Sequence, residues 1–303
     1  MLRNIRPRDR RAGGEEAFTA GTKLDKLRGI IRTSPKALVA FSGGVDSTLL
    51  LRLCRDVLGR RNVLAVTGVS QTYTKEEEET SARFAAELGV RHVRIRTDEL
   101  KCREFAENAG DRCYHCKKEL YGRIMALAAS EGIPAVYDAT NADDLGDYRP
   151  GRRAAEEFGV VSPFVQAGFT KADIRRLSKK LGLRTWDKPA NPCLASRVPY
   201  GTRITPGILE KIRSGEEFIR GLGFPLVRLR HHGELARLEV PSSDFSRILK
   251  PALAGRITAH LRSLGYLWIA LDVEGYRTGS LNRALQGPAA GGRPSRPGRK
   301  GRA

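Results

Sequence analysis

One short stretch decides the fold of this chain: Phe41-Ser42-Gly43-Gly44-Val45-Asp46-Ser47. It follows an apolar run at residues 37–41 and precedes a leucine-rich run at residues 47–54. The first run predicts a buried strand and the second predicts a helix. The stretch therefore lies at a strand-to-helix turn, which is where α/β sheets bind phosphate groups.

The composition of this turn is that of an anion-binding cradle. Its two successive glycines allow the backbone to direct several N–H groups at one point. Ser42 and Ser47 add hydroxyl groups, and a helix that begins near Asp46 adds the positive end of its dipole. Because a carboxylate repels a phosphate, Asp46 is interpreted as a ligand of Mg²⁺. The alternative is a glycine-rich turn that only caps a helix.

The turn resembles the SGGxDS signature of the PP-loop ATP pyrophosphatases, and it lacks the Gly-Lys-Ser/Thr ending of the common P-loop. The resemblance implies that ATP is cleaved between its α and β phosphates and that AMP passes to a carboxylate or carbonyl oxygen. The candidate ATP-binding residues are Ser42, Gly43, Gly44, Val45, Asp46 and Ser47.

Strand and helix patterns alternate along the first two thirds of the chain. Helices are predicted near residues 24–31, 47–58, 74–88, 111–130, 152–158 and 171–181, and strands near residues 36–41, 62–68, 92–96 and 135–139. Thr74, followed by Glu76 to Glu79, is typical of a helix N-terminus. This order predicts an α/β fold with a doubly wound, mainly parallel sheet of the PP-loop or adenine nucleotide α-hydrolase type.

A smaller C-terminal α/β domain is predicted from the change of pattern near residue 204. It combines helices at residues 206–222 and 242–264, the second broken near Pro251, with strands at 226–230, 236–240 and 266–272. The expected domains are residues 21–203 and 204–284. Residues 1–20 are expected to be a flexible basic lead and residues 285–303 a disordered basic tail.

The composition restricts the classes of protein that the chain can be. Its 303 residues are 40% hydrophobic and carry a net charge of +20. No apolar run approaches the ~20 residues of a membrane helix, and the arginine-rich start has no apolar signal-peptide core. A cytoplasmic protein without a membrane partner is expected. The basic charge is compatible with a nucleotide substrate and with RNA. A codon bias that favours arginine would also produce it. The net charge therefore does not distinguish these explanations.

Three of the five cysteines form a candidate metal or reactive group. Cys113-x-x-Cys116 has the spacing of metal ligands, and Cys193 supplies a third thiol. Three thiolates with no obvious fourth ligand suit a [4Fe–4S] cluster with one open iron better than a closed structural zinc site. Zinc with His115, free thiols and a redox pair are the alternatives. Cys54 is expected in the core, and Cys102 is expected to have no ligand role.

Cys193 is the candidate nucleophile. It lies in the proline-rich stretch 186–201, where the prolines forbid a regular helix or central strand and favour a stiff loop. If ATP activates an oxygen by adenylation, a thiolate on this loop can attack the activated carbon and expel AMP. Candidates for holding phosphate and lowering the thiol pKa are Lys188, Arg197, Arg228 and Arg230, each of which is otherwise an ordinary surface charge.

Six longer motifs narrow the resemblance. They are SGGVDS at residues 42–47, DRCYHCKKELY at 111–121, TNADDLGDYRPG at 140–151, WDKPANPCLASRVPYG at 186–201, VRLRHHGELARLEV at 227–240 and LDVEGYRTGSLN at 271–282. Together they resemble the LarE family of ATP-dependent sulfur transferases. The resemblance implies thiocarboxylate formation on a pyridinium dicarboxylate mononucleotide, using ATP and Mg²⁺, in nickel-pincer nucleotide biosynthesis. It also implies a homo-oligomer.

The resemblance also assigns residues. Cys193 matches the family's active cysteine, Cys113 and Cys116 match the additional pair of the [4Fe–4S] branch, and Arg228 and Arg230 match the phosphate-binding arginines. Further candidates for substrate binding are Asn141, Asp144, Ser196 and Arg197. In one branch of the family, the cysteine gives up its own sulfur and becomes dehydroalanine; in the other, a cluster passes on an added sulfide.

Two other functions stay open at this point. A tRNA thiolation enzyme would also combine a PP-loop with three cysteines, and the basic charge suits RNA, although no RNA-binding module is recognisable. A nucleotide- and metal-binding protein without catalysis would bind ATP but release no pyrophosphate.

Overall fold

The computed structural model of the protein describes residues 11–146, 150–189, 191–277 and 281. The chain divides into two compact units. The first comprises residues up to Ala195 together with Gly201–Arg213, and the second comprises Ser196–Tyr200 and the residues from Ser214 onward. The predicted tail at 285–303 and the first ten residues of the predicted lead lie outside the described residues.

The first unit alternates strands and helices in the order that the sequence predicts. Its strands are β1 Ala37–Ala40, β2 Val63–Val69, β3 Arg91–Arg96 and β4 Ala135–Tyr137. Its helices are α1 Arg11–Arg32, α2 Val45–Leu58, α3 Lys75–Glu87, α4 Arg103–Ala106, α5 Arg112–Ser130, α6 Gly151–Glu157, α7 Pro163–Ala167 and α8 Lys171–Lys180.

The four strands form a parallel sheet in the order β3-β2-β1-β4. Alternate residues of a strand point to opposite faces, and each face has its own apolar core. Val39 packs with residues of α1, α2 and α8, whereas Leu38 packs with residues of α5 and α6. Helices therefore cover both faces of a parallel sheet, and the predicted doubly wound α/β fold is confirmed.

Helix α9, Pro206–Gly221, leads into the second unit. Its strands are β5 Arg228–His232, β6 Leu235–Glu239 and β7 Trp268–Leu271, and its helices are α10 Phe245–Ile248 and α11 Pro251–Ser263. β5 and β6 are antiparallel, and β6 and β7 are parallel. The tight turn between β5 and β6 uses Gly233 at φ 66°, a conformation that favours glycine.

Two features of the first unit differ from the sequence prediction. Helix α1 begins at Arg11 rather than near Leu24. Extending a helix that already exists costs less than nucleating a new one, which favours the longer helix. The short helices α4 and α7 were also not predicted, because four or five residues carry too little periodicity to detect.

Helix starts follow the sequence signals closely. The Thr74 hydroxyl accepts a hydrogen bond from the Glu77 N–H, and the Glu77 carboxylate accepts one from the Thr74 N–H, as predicted for the start of α3. Thr170 and Asp173 form the same reciprocal cap at α8. No helix among the described residues combines the length and the apolar character that crossing a bilayer requires.

The packing of α9 yields a stability prediction. An alanine at Gly215 would place its Cβ 2.4 Å from Leu229 Cδ1 and 2.9 Å from Leu261 Cδ2. Overpacking costs about 1–3 kcal/mol, which outweighs the gain of about 1 kcal/mol from removing a helical glycine. Gly215→Ala should therefore lower the free energy of unfolding in urea.

The matched control is Gly255→Ala in the exposed middle of α11, where the added Cβ meets no atom within 4 Å. This variant should gain about 0.5–1 kcal/mol from helix propensity alone. Equal effects of the two substitutions would contradict the proposed close packing at Gly215.

Candidate active site

The turn between β1 and α2 is closed by its own side chains. The Ser42 N–H donates to Ser47 Oγ at 3.2 Å, and the Gly44 N–H donates to Ser42 Oγ at 3.3 Å. The two hydroxyl oxygens lie 3.1 Å apart, and the Ser47 hydroxyl also donates to the Gly44 carbonyl at 3.3 Å. The hydroxyl groups and backbone N–H groups are therefore collected at the start of α2, at its positive end.

Two independent structural features favour glycine at residue 43. Its φ of 68° lies in the left-handed region, and an added Cβ would lie 3.1 Å from the backbone Cα of Ser81 in α3. A neighbouring backbone cannot rotate away as a side chain can. The turn therefore lies directly against α3, and its shape depends on the absence of a side chain at residue 43.

Asp46 is held by residues from distant parts of the first unit. The Lys171 ammonium forms an ion pair with Asp46 Oδ2, and Asn141 Nδ2 lies 3.5 Å from Oδ1. Asn141 is itself fixed, because its N–H donates to Asp144 Oδ2 at 3.1 Å and its Oδ1 accepts from the Asp143 N–H at 3.0 Å. The predicted residues Asn141 and Asp144 thus lie beside the predicted Mg²⁺ ligand.

The loop that carries Cys193 contacts the same turn. Lys188 Nζ donates to the Gly43 carbonyl at 3.1 Å, and burial lowers the pKa of this lysine. Further along, Asn191 Nδ2 donates to Glu77 Oε1 at 2.7 Å, and the Leu194 N–H donates to the Thr72 carbonyl at 2.8 Å. These contacts fix the loop on both sides of Cys193 next to the carboxyl ends of β1 and β2.

The thiols of Cys113, Cys116 and Cys193 share one neighbourhood. Burial raises the pKa of Cys116 well above its usual range, and the nearby Glu99, Cys193 and Cys113 raise it further. Cys113 is exposed, while Cys116 and Cys193 are half-buried. By contrast, Cys54 is fully buried in the core, as predicted, and burial raises the pKa of its thiol.

A pocket lies beside the turn. Its wall includes Ser42 of the turn, Lys117 next to Cys116, and Tyr73. The pKa of Tyr73 is raised well above its usual range by burial, and then by Cys116 and Cys193. Lys117 Nζ donates to the Tyr121 hydroxyl at 3.3 Å, and the pKa of Lys117 is raised, first by Tyr121. The ammonium therefore stays protonated at neutral pH.

Glu99 is a buried carboxylate next to the cysteines. It is 1% exposed, and its Oε1 accepts from the Ser70 hydroxyl at 2.6 Å and the Thr72 hydroxyl at 2.7 Å. Its Oε2 is buried and makes no hydrogen bond within the described residues. A buried polar atom in this state is unusual in a folded protein. Its negative charge raises the pKa of both Cys116 and Tyr73.

A different group of ligand atoms lies near the start of α5. Among the described residues, Cys102, Glu104 and His115 are the one set of three His, Cys, Asp or Glu residues whose ligand atoms all lie within 4.8 Å of one another. Cys113, Cys116 and Cys193 do not form such a set. Ligand atoms within 4.8 Å of one another fit around a single ion. A four-iron cluster is wider than one ion, so the thiolates that bind it lie further apart.

The predicted arginines of the second unit are buried with two glutamates. Arg197 pairs with Glu216 through Nε at 2.9 Å and Nη2 at 3.1 Å, and Arg230 pairs with Glu239 at 2.7 and 2.9 Å. Arg228 lies beside them, and burial followed by the charge of Arg197 lowers its pKa. This cluster contains three buried guanidinium groups and two buried carboxylates.

Comparison with known proteins identifies the family. A curated relative, the pyridinium-3,5-bisthiocarboxylic acid mononucleotide synthase of Lactiplantibacillus plantarum, is 39% identical over 267 residues, covering 88% of this chain and 96% of that protein. The chain belongs to the LarE family. A second relative, an uncharacterized protein of Synechocystis sp., is 40% identical over 264 residues, covering 87% of this chain and 98% of that protein.

Two broader similarities agree with the PP-loop fold. A family model described as NAD synthase matches residues 24–121. The glutamine-dependent NAD(+) synthetase of Aquifex aeolicus is 35% identical over 101 residues, which are 33% of this chain and 18% of that protein. The residues that the family model matches include the turn.

The predicted LarE site residues are found in two groups. The turn, Asn141, Asp144 and the three cysteines lie in the first unit, whereas Ser196, Arg197, Arg228 and Arg230 lie in the second. In the second group, Arg230 Nη1 donates to the Ser196 carbonyl at 2.8 Å and Arg197 Nη1 donates to Ser196 Oγ at 3.0 Å.

Sequence reasoning did not single out four residues of the first group: Tyr73, Glu99, Lys117 and Lys171. Tyr73 and Glu99 follow the carboxyl ends of β2 and β3 closely, so the rule that pointed to Asn141 after β4 would have found them. Lys171 lies 125 residues from Asp46, and no sequence signal links the two.

Glu216 yields a prediction for the second unit. Burial, the largest single influence, opposes its charge, but the charges of Arg197 and Arg228 and the hydrogen bonds from Arg197 and the Leu229 N–H together lower the pKa of Glu216. A lowered pKa contributes stability that is complete above the unfolded value of about 4.3 and is lost as pH falls through the folded value. Glu216→Gln should cost about 3–5 kcal/mol by leaving Arg197 buried without this carboxylate, and should weaken the acid dependence.

The control is the adjacent, exposed Glu217→Gln, whose effect should stay within about 0.5 kcal/mol. Urea unfolding from pH 7 down to well below the unfolded value of about 4.3 measures both properties. An E216Q protein as stable as E217Q at pH 7 would contradict the role assigned to this carboxylate.

Proposed function

We propose that the protein is an ATP-dependent, AMP-forming sulfur transferase. It adenylates a carboxylate of a pyridinium dicarboxylate mononucleotide and converts it to a thiocarboxylate, in nickel-pincer nucleotide biosynthesis. The observation that carries the proposal is the contact of the Cys193 loop with the ATP-type turn, through Lys188 and the Gly43 carbonyl. Adenylation and sulfur chemistry both need this proximity.

In the first step, a substrate carboxylate oxygen attacks the α-phosphorus of ATP. An acyl adenylate forms and pyrophosphate leaves. The backbone N–H groups, Ser42 and Ser47 are suited to hold the pyrophosphate at the positive end of α2. Asp46 would hold Mg²⁺, which offsets phosphate charge when bound, and Lys171 and Asn141 keep its carboxylate in position. Lys117, charged and in the pocket wall, is suited to stabilise the departing phosphates.

In the sacrificial route, the Cys193 thiolate attacks the carbonyl carbon in the second step. The C–S bond forms, the bond to the phosphate oxygen of AMP breaks, and AMP leaves with the electron pair. The Cβ–S bond of Cys193 then breaks as its Cα proton is removed, which leaves a thiocarboxylate on the substrate and dehydroalanine at residue 193. The attack requires the thiolate form. In the same neighbourhood, the positive charge of Lys117 lowers the pKa of Cys116 and favours its thiolate form. Glu99 acts in the opposite direction, because its charge raises the pKa of Cys116 and favours the protonated thiol.

The donor set at the three cysteines supports an iron–sulfur cluster. Three thiols share one partly exposed neighbourhood, and thiolate is the ligand that iron–sulfur clusters use. Cys113, Cys116 and Cys193 would hold a [4Fe–4S] cluster, which when bound supplies an added sulfide at its open iron. The sacrificial route, in which Cys193 loses its own sulfur, is the alternative outcome of the test below.

The second unit is suited to bind the phosphate of the mononucleotide. Arg197, Arg228 and Arg230 are buried together, where Arg197 pairs with Glu216 and Arg230 pairs with Glu239. Guanidinium groups recognise phosphate by paired hydrogen bonds. Homo-oligomerisation and a cytoplasmic location stay predictions, and sedimentation tests the first.

The shape of the turn gives the test of the first step. Gly43→Ala should abolish pyrophosphate release with ATP, Mg²⁺ and the pyridinium dicarboxylate mononucleotide, because its Cβ meets the Ser81 backbone. Gly89→Ala has a similar backbone penalty at φ 63° but open space around the added Cβ, and should retain activity. Replacing the mononucleotide with tRNA tests the thiolation alternative. ATP binding without any pyrophosphate release would refute the proposal.

The cysteines give the second test. After anaerobic reconstitution, the wild-type protein should contain iron and acid-labile sulfide in equal amounts, and Cys113→Ser/Cys116→Ser should contain neither. Cys54→Ala, in the core, is the matched control and should retain both. Intact mass after turnover distinguishes the routes, because loss of one sulfur and two hydrogens marks the sacrificial route. A Cys193→Ala protein that still forms thiocarboxylate would end the proposal.

A further inference from the structure

Three side chains that the sulfur chemistry does not use come together beside the start of α5. The ligand atoms of Cys102, Glu104 and His115 all lie within 4.8 Å of one another. The Cys102 thiol donates a hydrogen bond to Glu104 Oε2 at 3.2 Å. Cys102 and His115 are half-buried, and Glu104 is exposed.

The backbone that carries Cys102 is fixed. The Cys102 N–H donates to the Glu99 carbonyl at 3.0 Å, and its carbonyl accepts from the Ala106 N–H at 3.0 Å, which places Cys102 at the start of α4. Phe105 and Ala106 are each 2% exposed and anchor this short helix in the protein interior. Glu104 is therefore also held close to Cys102 by a defined turn of backbone.

His115 reaches the group from the first turn of α5. Its Nε2 lies 3.3 Å from Asp111 Oδ2, one helical turn earlier. Its ring lies edge-on to Tyr114 with the centroids 5.1 Å apart. A carboxylate on one ring nitrogen fixes the orientation of an imidazole and raises its basicity, which is the usual outer-shell arrangement of a metal-binding histidine.

We infer that Cys102, Glu104 and His115 bind one Zn²⁺ ion, with Asp111 as the outer-shell partner of His115. A thiolate, an imidazole and a carboxylate are the three ligand types that zinc accepts in proteins, and three protein ligands leave a fourth position for water. Ca²⁺ and Mg²⁺ prefer oxygen ligands throughout, so this donor set disfavours them.

The ion would join α4 to the first turn of α5, the turn that also carries Cys113 and Cys116. It gives a physical reason for a histidine inside the Cys-x-x-Cys motif, where zinc completed by His115 and the two motif cysteines is geometrically awkward. It also assigns a ligand role to Cys102, which the sequence alone leaves without one. The site does not depend on the proposed sulfur transfer.

The test uses Co²⁺ and Zn²⁺ on the full chain with the thiols of Cys113, Cys116 and Cys193 removed and the buried Cys54 retained. In the parent Cys113→Ser/Cys116→Ser/Cys193→Ser protein, Co²⁺ should bind at one ion per chain and give a thiolate-to-cobalt charge-transfer band. Adding Cys102→Ser should abolish that band. Zn²⁺ affinity, from competition with a chromophoric chelator, should fall about 10- to 100-fold in Asp111→Asn, as for loss of an outer-shell partner, and by more in His115→Asn.

Because Glu104 is exposed, Glu104→Gln tests the site without disturbing the core, and it should also weaken zinc binding in the parent. The band is specific for a cysteine ligand, so a general loss of stability cannot imitate its selective disappearance. A parent protein that shows no thiolate-to-cobalt band, or a band that Cys102→Ser leaves unchanged, would overturn the inference.

Discussion

The backbone approach of the first turn to α3 is the constraint on which the rest of the site depends. Gly43 has a left-handed backbone conformation, and it lies so close to α3 that an added Cβ would be only 3.1 Å from the Ser81 Cα. This approach directs the following N–H groups toward the start of α2 and leaves the Gly43 carbonyl for Lys188. One glycine thereby fixes both the anion cradle and the loop that carries Cys193.

Charge is distributed around this turn in opposing pairs. Asp46 is held by Lys171, and Lys117 lies among Tyr121, Asp138 and the thiol of Cys116. Such pairs keep charged groups in position inside a partly buried pocket, where each charge alone would be costly. When a phosphate or a cation binds, its charge adds to groups that are already oriented, which is the preorganisation that adenylation chemistry requires.

The cysteines illustrate how environment separates residues of one type. Cys54 packs in an apolar core, Cys116 and Cys193 lie near Tyr73 and Lys117 at the pocket, and Cys102 lies with Glu104 and His115. Burial raises the thiol pKa in the core and leaves it inert. The partly exposed thiols have charged or ligating neighbours, so they are the ones suited to metal binding or nucleophilic attack.

The sequence by itself determined the alternation of strands and helices, the strand-to-helix turn, the cap at Thr74 and the core position of Cys54. These features follow from local rules of periodicity, glycine geometry and capping, which act within a few residues. The tertiary structure alone decided that Lys171 pairs with Asp46, that Glu99 lies beside Cys116, and that Cys102 meets His115. Those contacts join residues from different elements, and their distances depend on how the helices pack on the sheet, which no local pattern encodes.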